Sequence, residues 1–369
     1  MESQPKSPFS AVTEWLTVGL GQILVSVIVP LVAFVVMWQG FIFLRDGDAP
    51  QVVTVIIAII WGVGGVGALY LLANWIIDKL PDTLATNLRP YAFVGPALVI
   101  LGWFLFIPTI RTLYASFFDA TTTNFVGLEN YIFAFTDTRM VESFRNNLIW
   151  LVVGTGMSVI FGTLVAVLAD RSKFEVAAKS LIFLPMAISF VGAGVIWRFI
   201  YAYRPPGAEQ IGLLNAIVTA FGGQPQAWLT ISPWNNLFMV AILVWLQTGY
   251  AMVLISAALK GVPEELLEAA RIDGANEIRI FFNILVPSIK QTIITVATTI
   301  IILTLKIFDI VFVMTNGNFG TEVMASQQYK QMFRFQDFGK GSSVAIVLLI
   351  AVIPVMWYNL KQFGKKEAF

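Results

Sequence analysis

The chain has 369 residues, of which 57% are hydrophobic and 12% charged, against roughly a quarter charged in soluble domains, so it reads as an integral membrane protein. Its net charge of +1 offers no clustered basic face for phosphates and sets nucleic-acid partners aside. It has neither histidine nor cysteine, which excludes disulfides, thiolate zinc sites, histidine-held haem and histidine acid–base chemistry.

A bilayer crossing takes about 20 apolar residues at about 1.5 Å each. Eight stretches meet that length: about 18 to 44, 52 to 77, 91 to 110, 147 to 169, 179 to 201, 237 to 259, 288 to 313 and 343 to 360. The first is too long, and too weakly flanked by basic residues, for a signal peptide whose apolar region runs about 7 to 15 residues, so it is expected to remain as a helix. Backbone groups in lipid must pair within their own segment, so the predicted fold is an all-α integral membrane bundle of eight transmembrane helices. Pro30, Pro96, Pro108, Pro185 and Pro354 fall inside these spans as kinks that a bundle absorbs. In the second span, Gly62, Gly64, Gly65 and Gly67 are small enough to let a neighbouring helix approach closely.

Lysine and arginine counts give the orientation. With the amino terminus inside, the inner segments carry twelve basic residues (Lys6, Lys79, Arg89, Arg171, Lys173, Lys179, Lys260, Arg271, Arg279, Lys361, Lys365 and Lys366). The outer segments carry eight: Arg45, Arg111, Arg139, Arg145, Arg204, Lys330, Arg334 and Lys340. This bias favours both termini in the cytoplasm. The outer segments, about 111 to 146, 202 to 236 and 314 to 342, are rich in Asn, Gln, Gly, Pro and aromatics. They suit either a landing surface for a soluble protein or solvated caps on the bundle.

Between the sixth and seventh spans, residues 263 to 291 form a charge-dense stretch in an otherwise apolar chain. Pro263 suits a first helical position, where its missing N–H is not needed. Glu264, Glu265 and Glu268 place negative charge near the positive end of the helix dipole. Gly274 falls where a left-handed residue would end that helix, and Asn276 caps a second one through Glu277 and Phe282 before Pro287. Ala269 and Ala270 predict a small-residue patch for close approach of another surface, with Leu266 and Leu267 as apolar anchors. The expectation is helix, glycine hinge, helix, presented as a docking knob.

Glu268-Ala269-Ala270, Asp273-Gly274-Ala275, Phe281, Ile284 and Pro287 resemble the EAA loop of the inner-membrane permease subunits of binding-protein-dependent ABC importers. The alternative is a generic amphipathic linker between two membrane helices. One departure is Gln291, which stands about where the family often has a second proline. The resemblance begins near Tyr91 and runs to the carboxyl end. It implies residues 1–90 as an amino-terminal cytoplasmic segment with two extra, peripheral transmembrane helices, and 91–369 as a six-helix permease domain with a cytoplasmic coupling loop at 260–287. It further implies a bacterial inner-membrane location, a second related permease subunit, two ATPase subunits holding ATP and magnesium, an extracytoplasmic solute-binding protein, and no cofactor on this chain. Glu268, Ala269, Ala270, Asp273, Gly274, Leu266 and Leu267 would then contact the ATPase.

Further pieces resemble the carbohydrate branch of these permeases: Asn146-Asn147, Leu184-Pro185, Trp197 and Leu214-Asn215, then Phe308-Asp309, Val313-Met314-Thr315, Gly317, Gly320, Tyr329, Phe333 and Phe338-Gly339. Within that branch, the runs Tyr203 to Gly207 and Thr315 to Glu322 resemble the α-glucoside and glucosylglycerol type.

No glycine-rich stretch completes G-x-x-x-x-G-K-[ST]: Gly339-Lys340 lacks the earlier glycine, and Gly364-Lys365 is followed by Lys366. The chain is therefore read as a non-enzyme whose phosphate chemistry lies on a partner. A sugar pathway wants hydrogen-bonding groups and flat aromatic faces near mid-membrane. The sixth span supplies Trp245, Gln247, Thr248 and Tyr250, and Gln247 and Tyr250 share a face at three-residue spacing. Tyr250 lies roughly 20 Å from the inner loop by helical rise. Thr298, Thr299 and Thr304 of the seventh span are further lining candidates, although threonines in lipid also bond back to their own helix. Lys306 and Asp309, at i,i+3, are expected to pair on one helix, either as a gate or substrate contact or as an ion pair near the outer interface.

The alternatives are the same architecture carrying a non-sugar solute such as glycerol phosphate, for which Lys306 is the basic residue well inside a span, and a membrane-embedded enzyme acting on lipid, for which Asp309 is the acid inside a span. A secondary transporter should show an internal repeat, and none is visible.

Overall fold

The structure, a computed structural model, describes residues 28–78 and 82–363. The start of the first expected span, from residue 18 to 27, and Lys6, Lys79, Lys365 and Lys366 lie outside the described residues. The described residues are mostly helical, with one isolated β-bridge between Phe118 and Phe125. Asp119 sits beside that bridge, and the Thr123 backbone N–H and the Asn124 side chain hold its carboxyl well below the usual carboxylate range.

The chain divides into two units, Met1–Pro108 and Thr109–Phe369. The first contains α1 (Ile28–Asp46), α2 (Gln51–Ile77) and most of α3 (Leu84–Ala115). Trp61 Nε1 in α2 donates to the Met37 carbonyl of α1 at 3.2 Å, and the Tyr70 hydroxyl donates to the Phe93 carbonyl of α3 at 3.0 Å. Of the four glycines expected to line a helix contact, Gly65 packs against Met37, whereas a Cβ at Gly62, Gly64 or Gly67 would meet nothing within 4 Å. Their smallness is therefore not used within this unit.

The second unit is built on α4 (Thr138–Asp170), α7 (Trp234–Lys260) and α11 (Phe338–Lys361). Between them lie α5 (Glu175–Ala187), α6 (Phe190–Ile200), α8 (Glu264–Ile272), α9 (Glu277–Ser288) and α10 (Lys290–Leu305). The central helix is α7: 61% of its most apolar window is buried, against 22% for α11. It feeds two apolar clusters, one around Trp150, Met239, Ile242, Leu243 and Ile310 and the other around Ala166, Met252, Ile255, Val296 and Ile300. α4 and α7 cross closely because any side chain at Gly162 would collide with Ala251 and the Met252 backbone.

Among the described residues six helices are long and apolar enough to cross a membrane, or up to eight if each of two bent helix pairs is one span. Two expected spans are not straight. The stretch expected from 179 to 201 bends by 104° between α5 and α6: Pro185 opens a 3₁₀ turn, Ile188 is extended, and the Ser189 Oγ accepts the Gly192 N–H at 3.0 Å to start a new helix. The stretch expected from 288 to 313 bends by 70° at Ile289, between α9 and α10. It stops being helical at Lys306, and Ile307 and Phe308 lead into a separate short helix, Asp309–Met314.

Candidate functional site

The polar stretch folds as helix, hinge, helix. Pro263 is the residue before α8 rather than its first turn, with an extended ψ of 133°. At the other end Gly274 has φ +82°, a conformation that costs a residue with a Cβ. The Gly274 N–H donates to the Arg271 carbonyl and the Ala275 N–H to the Ala270 carbonyl, both at 3.0 Å, which is the Schellman pattern. The Asn276 Oδ1 then accepts the Arg279 N–H at 2.9 Å and starts α9.

The two faces of α8 differ. Ala270 is buried and Leu267 half-buried against Ile280, Leu285 and Leu259. The structure thus corrects the expectation that Ala269 and Ala270 together form an outward patch: successive helical residues point about 100° apart, and Ala270 faces inward. Leu266, Glu268, Ala269 and Asp273 are exposed. So are Ile272 at 87% and Ile278 at 68%, two apolar residues that the sequence reading passed over.

Charge pairs tie this loop to the helix ends above it. Glu277 accepts from Arg171, just beyond α4, at 2.7 Å and from Arg271 of α8 at 3.1 Å. Alongside, Lys179 of α5 bridges Asp170 at the end of α4, Glu175 and the Ser256 hydroxyl of α7. Lys260 also reaches Glu175. Nothing local in the sequence signals the pairing of Arg171 with Glu277, which are 106 residues apart.

Further along α7, Gln247 and Tyr250 line a cavity of about 390 Å³ together with Met186, Ser189, Phe190 and Thr299. The bend between α5 and α6 is what brings Met186, Ser189 and Phe190 to its wall. Gln247 is 6% exposed, and among the described residues neither its amide nor the Tyr250 hydroxyl has a protein hydrogen-bond partner. Both polar groups are thus free to meet a solute or water. The other lining candidates lie elsewhere. Trp245 packs edge-on against Trp197 at 5.8 Å, within the apolar cluster. Thr304 is fully buried and donates to the Ile300 carbonyl at 2.7 Å, and Thr298 donates to Asn359 Oδ1. Thr248 is buried and donates to the Val244 carbonyl. Thr299 is the threonine that reaches the cavity.

Lys306 and Asp309 do not share a helix. α10 ends at Leu305, Lys306 is exposed, and no ion pair joins the two among the described residues. The three-residue spacing therefore no longer puts them on one face.

At the opposite end of α7 the loop from Thr315 to Val323 is strapped down by buried asparagines. Asn146 Nδ2 donates to the Gly320 and Glu322 carbonyls at 2.9 and 2.8 Å. Asn235 Nδ2 donates to the Phe319 carbonyl at 2.7 Å and Asn236 Nδ2 to the Gly320 carbonyl at 3.1 Å. Asn147 takes the Met324 N–H and gives to the Leu305 carbonyl. Glu322 forms an ion pair with Lys330 at 2.5 Å, their side chains 2% and 6% exposed. Lys330 also donates to the Asn316 carbonyl at 2.8 Å. The sequence reading noted Asn146, Asn147 and the segment ending at Glu322 but not Asn235, Asn236 or Lys330 as partners.

Comparison with known proteins places this architecture. Residues 158–360 match the family described as binding-protein-dependent transport system inner membrane component. The chain is 57% identical over 275 residues to the osmoprotective compounds uptake permease protein GgtC of Synechocystis sp., covering 74% of this chain and 99% of the relative. It is 50% identical over 285 residues to the alpha-glucoside transport system permease protein AglF of Rhizobium meliloti, covering 77% and 85%. In fold it is similar to a chain of a bacterial alginate ABC transporter solved with an alginate pentasaccharide-bound periplasmic protein, with a TM-score of 0.66 at 17% identity, over 76% of this chain and 95% of that one. The chain belongs to the binding-protein-dependent transport system inner membrane component family and is a multi-pass transport permease.

Proposed function

We propose that this permease is one subunit of an ATP-driven ABC importer for a sugar or sugar-like compatible solute of the α-glucoside or glucosylglycerol type. The observation that carries the reading is the placement of Gln247 and Tyr250 side by side at a cavity of about 390 Å³, both without a protein partner, on the helix joined to α8 by a three-residue turn at 261–263. A polyhydroxylated solute satisfies an amide and a phenol at once, and Phe190 adds a flat apolar face. The names of the relatives support the solute class. A phosphorylated solute is disfavoured, because the cavity wall carries no lysine or arginine.

In this reading six core helices, two of them bent, and two additional amino-terminal helices cross the membrane, with both termini in the cytoplasm. The partners are a second related permease subunit, two ATPase subunits that bind ATP and magnesium, and an extracytoplasmic binding protein. α8 seats in a groove of an ATPase through Leu266, Glu268, Ala269 and Ile272, so that closure of the ATPases rocks the attached helices. The test is ATP-driven uptake of labelled solute by the assembled importer. Gln247→Leu and Tyr250→Phe should each raise the half-saturating solute concentration about tenfold while leaving ATPase binding intact, the loss of one or two net hydrogen bonds to a solute. Unchanged uptake in the double variant would remove this cavity from the pathway.

A further inference from the structure

The end of the second unit that lies away from α8 carries a second cleft, of about 300 Å³. α7, which is 27 residues long and so about 40 Å from end to end, separates the two ends. The floor of the cleft is fixed: Gln327, Lys330 and Gln331 are 2%, 4% and 9% exposed, and Lys330 is held by Glu322 and the Asn316 carbonyl. The Lys330 charge is thereby already neutralised. Arg139, in the first turn of α4, and Arg334, on the segment Lys330–Arg334, also line the cleft and are exposed. Neither guanidinium has an acidic partner within ion-pair distance among the described residues. Asp137, the one acid in the wall, is committed to capping α4 through the Arg139 and Met140 N–H groups.

Two unpaired guanidinium groups facing one rigid, concave, net-positive cleft match a planar anion, which an arginine fork holds in bidentate fashion. We propose that Arg139 and Arg334 receive a surface carboxylate of the extracytoplasmic solute-binding protein, and that this cleft is an electrostatic anchor of the docked complex. The inference rests on the reading that this chain works with such a protein and that this end faces outward. The unpaired positive charge of the cleft and a family defined by dependence on a binding protein select that occupant. A pair at a partly exposed rim acts chiefly on encounter and register, so its loss weakens docking without touching turnover once docked.

The test uses the complete importer in lipid, titrated with loaded binding protein while ATP hydrolysis is followed. Stimulation of the native importer is the control: its absence would count against the proposed function, not against the anchor. In R139E/R334E the half-maximal binding-protein concentration should rise at least about tenfold with the saturated rate preserved. The native titration should also weaken with added salt more steeply than that of the variant. Acid-to-Arg reversal at one surface position of the binding protein should restore docking to the variant. Should that variant fail to assemble, R139Q/R334Q is read in its place, with a smaller rise. An unchanged half-maximal concentration in an assembled variant, or a rise with the native salt dependence, overturns the anchor.

Discussion

The two ends of α7 are fastened in opposite ways. At its amino end a loop is strapped by Asn146, Asn235 and Asn236 and closed by a Glu322–Lys330 pair whose side chains are 2% and 6% exposed. At its carboxyl end α8 and α9 are tied to α4 by Arg171–Glu277, whose side chains are 55% and 48% exposed. Exposed pairs contribute roughly 0–1 kcal/mol and are screened by salt, whereas breaking a buried pair leaves a stranded charge and costs about 3–5 kcal/mol. The difference supports the proposed mechanics, in which the first end is a fixed frame and the second a joint light enough for a partner to move.

The largest expected effect lies in the frame. Lys330→Met strands Glu322 and should cost about 3–5 kcal/mol of stability, read as a large drop in the melting temperature of the purified protein. Glu322→Gln combined with Lys330→Met should recover most of it, and failure to recover would mean that the loop depends on Glu322 for something besides charge balance. Next is the hinge. Gly274→Val forces a β-branched residue into φ +82°, at a cost on the order of 1–3 kcal/mol, and should uncouple uptake from ATP hydrolysis with a smaller fall in melting temperature than Lys330→Met. Smallest is the joint itself. Glu277→Gln removes the charge from both arginine contacts and should leave stability unaltered, with a modest loss of coupling that is greatest at low salt. A drop in melting temperature comparable to that of Lys330→Met would erase the contrast between the ends.

How much of this was legible in the sequence follows from the range of each interaction. The hinge was readable because its causes are local: Gly274 and Asn276 carry the turn and the cap in their own chemistry. Hydropathy found the long helices, including α7, but it is blind to a break inside an apolar run. That is why Pro185 reads in the sequence only as a kink and not as a 104° break, why the bend at Ile289 and the stop at Lys306 leave no hydropathy signal, and why Lys306 and Asp309 are expected on one helix. Pro185 followed by Ser189 was the available signal. Gln247 and Tyr250 were found from helical spacing, yet the same reasoning admitted Trp245 and Thr304, because spacing along one helix does not say which face meets a neighbour. Ala270 turned inward for that same reason. The frame was the least visible part. Asn146 meets the Glu322 carbonyl across 176 residues, and a separation of that size leaves no periodic trace.

The most direct measurement of the central claim is the ATPase rate of this chain assembled with its partner subunits in lipid, with and without binding protein loaded with an α-glucoside or glucosylglycerol. The account predicts hydrolysis stimulated by the loaded binding protein, and transport lost in Gly274→Val while nucleotide binding persists. An assembled complex whose hydrolysis ignores every loaded binding protein, or whose uptake survives the hinge substitution, would contradict it.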